Sequence, residues 1–196
     1  MAWRLNERAT PETPFEIRSK PPASGPLCPW REPAEDLARF FPAATRYATQ
    51  ARILSGLRDE LTLQLGRPPT AEENALHVYR VYQDQTPLGN VLTGRVKAEH
   101  GALEVVVAIT LDGAVQAVRV QRLREPSPVA VALQDPKWLA SFTGHRAPDE
   151  FKIGKDIGDI SSEARVSAMA LTQGVRDLLI LLAAADKAVP DCHHGS

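Results

Sequence analysis

The stretch ALEVVVAITLDGAVQAVRVQRL, Ala102 to Leu123, decides the fold. Two β-branched runs flank Asp112-Gly113, a pair whose backbone freedom suits the tight turn of a β-hairpin. In the first run Leu103, Val105, Val107, Ile109 and Leu111 fall on one face of a strand. In the second, the apolar residues switch parity between Ala117 and Val118. A strand keeps its side-chain period of two, so the switch predicts either a bulge or burial on both faces.

Upstream, HVYRVYQD (His77–Asp84) and GNVLTGRVKAEH (Gly89–His100) read as strands separated by the turn QTPLG. Before them, ARILSGLRDELTLQLG (Ala51–Gly66) places Ile53, Leu54, Leu57, Leu61 and Leu65 near the helical period, and Gly66 with Pro68 stops that helix. PAEDLARFF suits a short helix with Pro33 in its first position, ended by Pro42. Downstream, DPKWLASF predicts another, capped by Asp135 with Pro136 following it. A long last helix begins near Ser161 or Ser162. Its core-facing stripe is Ala164, Ala168, Leu171, Val175, Leu178 and Leu182. The expected class is α+β: an antiparallel meander of about four strands packed against a helix before it and a long helix after it.

At 196 residues the chain holds one ordinary domain and a tail. Residues 1–33 are rich in proline and poor in aliphatics, and read as a disordered leader. The domain is expected over 34–186 and a disordered tail over 187–196. A formal net charge of −1 recommends neither nucleic acid nor an anionic membrane as a bulk electrostatic partner. Cys28 and Cys192 lie near opposite ends, outside any CxxC or zinc-ligand spacing. No run approaches the ~20 apolar residues of a membrane span, LLILLAAA (Leu178–Ala185) being the nearest, and the start carries no charged-then-apolar signal pattern. HExxH, the P-loop and GxGxxG are absent, as is a nucleophile-and-base set, which argues against a hydrolase. His100 and His145 each adjoin a glycine and read as exposed loop histidines.

The segment GKDIGDISSEARVSAMALTQGVR, Gly154 to Arg176, carries the chemistry. A helix start presents unpaired N–H groups and a positive dipole end, which together favour an anion. Ser161, Ser162 and Ser167 add hydroxyls near that turn. Arg165 opposes the dipole at a cost of about 0.3–1 kcal/mol unless an anion answers it. A phosphate gripped by the guanidinium would do so. The alternative is a plain cap by Ser161 or Ser162, with Glu163 offsetting Arg165. RLREPSP holds Arg124, Glu125 and Ser127 in a turn whose prolines end a strand.

This segment resembles the end of the FMN-binding domain family, which includes the small flavin-carrying subunits of the Rnf and sodium-pumping NADH:quinone complexes. Members read much like GKDIDAISGATISSRAVTEGVR. Gly154-Lys155-Asp156-Ile157, Ile160-Ser161, Ala164, Ser167, Ala170 and Thr172 through Arg176 match. The hairpin with its Glu125-Pro126 turn, and WLASFTGHRAPDEFKIGKDI, are similar to the family's preceding parts. In order, these cover about Leu54 to Ala184.

The departures fall in the family's attachment loop. Ser162-Glu163 stand for its glycine, one residue being inserted, and Arg165 stands for the threonine that is esterified to FMN. Arginine cannot form that ester, so the resemblance implies FMN held non-covalently, if held at all. Ser167 lies two residues further into the helix, about half a turn around. The residues implied for FMN are Arg165, Ser161, Ser162, Ser167 and Lys155 at the phosphate end, with Glu125 and Arg124 by the ring. No metal ligand and no catalytic residue is implied. The resemblance further implies electron transfer with a redox partner protein or membrane complex in an extracytoplasmic setting, rather than a stand-alone enzyme. A flavin-free interaction or assembly module on the same scaffold is the other reading.

Overall fold

The computed structural model describes residues 34–188. The leader, Pro33, both cysteines and the tail from 189 onward lie outside the described residues. The chain runs α1 (Ala34–Phe40), β1 (Arg46–Ile53), a 3₁₀ turn (Ser55–Leu57), α2 (Arg58–Leu65), α3 (Ala71–Asn74), β2 (Ala75–Gln83), β3 (Thr86–Lys97), β4 (Ala102–Thr110) and β5 (Val115–Leu123). It continues through α4 (Ser127–Leu133), α5 (Pro136–Ala140), a second 3₁₀ turn (Ser162–Ala164) and α6 (Arg165–Lys187). The class is α+β.

All strand pairs are antiparallel, and the sheet order β1-β2-β3-β4-β5 follows the sequence, a five-stranded meander. The added strand is β1. Residues 51–53, expected to open a helix, instead finish this edge strand. The polypeptide then turns at Ser55–Leu57, and helix proper begins only at Arg58. Ile53 is 69% exposed, whereas Leu54, Leu61 and Leu65 are buried. The β2–β3 turn sits earlier than QTPLG, at Asp84, which takes a positive φ of 53° and leaves Thr86 and Pro87 inside β3.

The hairpin turns at Leu111–Ala114 with Gly113 at φ 81°. The parity switch in β5 is a bulge: Ala108 pairs with Ala117 and Ile109 with Val115, so Gln116 is the extra residue. A second bulge leaves Gln121 unpaired between Val120 and Arg122. Val115, Val118, Val120 and Leu123 thereby share the main core's side. Both bulged glutamines reach α1, Gln116 Nε2 donating to the Phe40 carbonyl at 2.8 Å and Gln121 to the Asp36 carboxylate.

The sheet is covered on both faces. One bears Leu76, Val78, Leu92 and the odd-numbered residues of β4, and packs against α2, α4, α5 and α6. The other bears Tyr79, Val81, Val91, Val106 and Ala108 against Leu37 of α1 and Phe41 just after it. Every residue of the α6 stripe is buried. Close helix–sheet approach uses glycine: a Cβ on Gly174 would lie 2.3 Å from Val96 Cγ2. The helical stretch Ser162–Lys187 is long and apolar enough, by length and composition, to cross a membrane, yet 67% of its apolar window is buried within the protein. That is the pattern of a core helix.

Candidate functional site

The start of α6 is held by the loop that precedes it. Around Gly154 (φ 84°) the amides of Lys155, Asp156 and Ile157 all donate to the Lys152 carbonyl, folding the loop on itself. Helix α5 anchors it: Trp138 Nε1 donates to the Gly158 carbonyl at 2.9 Å, and the Gly158 amide donates to Ser141 Oγ at 3.0 Å. The backbone is extended at Ser161 (φ −57°, ψ 149°) and then coils through the 3₁₀ turn into α6.

No side chain caps this start. Ser161 makes no side-chain cap hydrogen bond, and neither does Ala164, the residue before α6. The plain-cap alternative is therefore not what the serine hydroxyls do. Ser161, Ser162, Glu163 and Arg165 are all exposed. Arg165 Nη1 lies 3.5 Å from Asp159 Oδ1, both side chains open to solvent. Exposed pairs of this kind are worth about 0–1 kcal/mol, so a phosphate could displace the aspartate.

Ser167 is placed differently. It is fully buried, and its Oγ accepts the Glu99 amide at 3.2 Å. Lys155 pairs locally, 3.4 Å from Glu150 Oε2 and 4.0 Å from Asp156 Oδ1. The Glu150 carboxyl is held below its ordinary value, first by the Lys152 ammonium and then by Lys155.

Glu125 Oε1 accepts the His100 amide at 3.2 Å, and Oε2 lies 2.8 Å from His100 Nδ1. Its side chain is completely covered while that of His100 is 47% exposed. Arg124 is exposed, its stem crossing Gly101, where an added Cβ would come within 2.8 Å of Arg124 Cβ. The β3–β4 turn thus touches α6 through Glu99 and the Glu125 turn through His100, bringing the two predicted halves of the site to one end of the sheet. Lys155 is tied instead to its own loop.

His100 and Asp159 were not among the expected site residues. Among the described residues, no three His, Cys, Asp or Glu side chains are grouped to hold a metal ion. A cleft of about 250 Å³ lies at the other end of α6, lined by Asn90, Asp112, Leu179, Leu182 and Asp186 among others.

No family model matches the chain, and no curated protein matches it. Among solved structures it is similar to the crystal structure of NqrC from Shewanella oneidensis, at 14% identity, covering 74% of this chain and 87% of that one, with a TM-score of 0.48. A likeness at this level assigns no ligand. The chemistry of the site rests on the residues above.

Proposed function

We propose that this chain is an electron-transfer protein of FMN-binding-domain type that holds FMN without a covalent bond. The uncapped start of α6 carries the reading. The amides of Ser162 and Glu163 in the 3₁₀ turn, the free hydroxyls of Ser161 and Ser162 and the weakly paired Arg165 form a set that a phosphate monoester would complete, the Ala164 and Arg165 amides being bonded already to the Ser161 and Ser162 carbonyls. The residues fit a phosphate, and the family's ester link has no counterpart at Arg165, which has no hydroxyl, nor at Ser167, which is buried. When bound, the flavin supplies the redox chemistry. The chain's own contribution is to bind the phosphate at α6 and to present the β3–β4 and Glu125 turns toward the ring.

On this reading the partner is a redox protein or a membrane electron-transfer complex, and the setting is extracytoplasmic; both follow from the motif resemblance. A second reading, a flavin-free interaction or assembly module, draws on Glu163, whose exposed carboxylate stands beside the anion-receptive turn. One experiment separates them. The protein is incubated with FMN, freed of excess, scanned across the flavin band and then denatured. Colour that is taken up and released supports the proposal, and absence of uptake at excess FMN supports the module. Colour retained on the denatured chain would overturn the non-covalent assignment.

A further inference from the structure

The His100–Glu125 pair joins a half-exposed imidazole to a fully covered carboxylate through two hydrogen bonds. A carboxylate oxygen 2.8 Å from Nδ1 accepts, so the proton sits on Nδ1. In the neutral ring Nε2 is then an acceptor, on the edge away from Glu125. The backbone bond from the His100 amide fixes the turn itself, and Gly101 permits its close approach to Arg124. Each carboxylate oxygen already accepts one of the two His100 bonds, and the side chain is fully covered, which keeps it from a ligand.

We infer that His100, rather than Glu125, is the ligand-recognising group at this end of the site, with Glu125 as its positioning residue. This rests on the FMN reading. From Ser161 to Ser167, whose hydroxyl meets the turn, the helical path is on the order of 9–12 Å. The phosphate and the imidazole would therefore address opposite ends of one elongated ligand. An acceptor at Nε2 selects a ligand that carries an N–H donor there, and the imide N–H of the flavin ring has that chemistry.

The test compares FMN with its 3-methyl derivative, in which that donor is blocked, on the whole protein and on His100→Phe. The neutral tautomer of His100 is read by ¹⁵N NMR in the wild type and in Glu125→Gln. We expect the wild type to prefer FMN about tenfold, as for one lost hydrogen bond, His100→Phe to lose that preference, and the Nδ1–H tautomer to give way to a mixture in Glu125→Gln. Equal binding of both flavins by the wild type overturns the assignment while leaving the FMN reading standing. Failure of both flavins to bind overturns both. An unchanged tautomer in Glu125→Gln removes Glu125 from the positioning role. Binding to the intact protein is a ligand-side comparison, so a poorly folded variant does not obscure it.

Discussion

Arg67 Nη2 lies 2.6 Å from Asp177 Oδ2, tying the loop after α2 to the middle of α6. The same guanidinium grips both Glu73 oxygens, at 2.7 and 2.8 Å, and Gln173 donates to the other Asp177 oxygen at 2.7 Å. Asp177 is buried and Arg67 is partly open, so the two partners are not equivalent. Arg67→Ala strands a buried carboxylate and should cost about 3 kcal/mol or more. Asp177→Asn leaves Arg67 with Glu73 and should cost about 1 kcal/mol or less. Urea unfolding of each variant and of the double mutant checks this, and the double should recover part of the Arg67→Ala loss.

The same network sets a pH dependence. Burial works to raise the Glu73 carboxyl, but hydrogen bonds from Arg67 and Thr70 hold it below its ordinary value. The unfolded chain therefore takes up that proton first. The stabilisation is present above the ordinary glutamate value of ~4.3 and is lost as pH falls through the folded one. Asp177 behaves oppositely: burial raises it, so its folded form binds the proton first, and stability falls as pH rises through its folded value. Urea midpoints measured against pH should show a flatter acid limb in Glu73→Gln than in the wild type. In Asp177→Asn the opposite contribution should vanish. Parallel curves for wild type and Glu73→Gln would refute the assignment.

Gly174→Ala tests the packing of α6. Alanine favours the helix by about 1 kcal/mol, yet its Cβ would meet Val96 Cγ2 at 2.3 Å. A β-branched side chain in a strand yields little, so overpacking should dominate, with a net loss of about 1–3 kcal/mol. Gly174→Ala combined with Val96→Ala should relieve the clash. A thermal melt that rises in the single variant would mean the helix stands further from β3.

Charge at the start of α6 offers a paired comparison. Arg165→Ala should weaken FMN binding about tenfold, as expected for a lost charge-assisted bond to phosphate. Glu163→Gln should strengthen it about two- to fivefold by removing a like charge. Both effects should shrink between low and high salt. Fluorescence titration at two ionic strengths measures them.

The hairpin and the α6 stripe were legible because their periodicity is set by burial. The parity switch near Val118 located the Gln116 bulge within two residues. The Gln121 bulge went unread because it falls near the strand's end, where few apolar residues remain to show phase. Strand β1 was missed since none of Arg46–Ile53 is buried, and an edge strand without an apolar face leaves no alternation. Helix α4 was hidden by Pro126 and Pro128, read as strand breakers although Pro128 lies in that helix's first turn. At the site, Ser167 follows Ala164 by three and precedes Leu171 by four, so its burial was written in the stripe. The His100–Glu125 bond joins residues 25 apart across two strands, and no local pattern could have announced it.

The central claim is that the start of α6 receives a phosphate. Equilibrium titration with FMN and with riboflavin, which lacks that group, tests it most directly. The account expects FMN to bind at least about tenfold more tightly than riboflavin, the gap closing in Arg165→Ala. Equal affinities, or binding of neither, would contradict it.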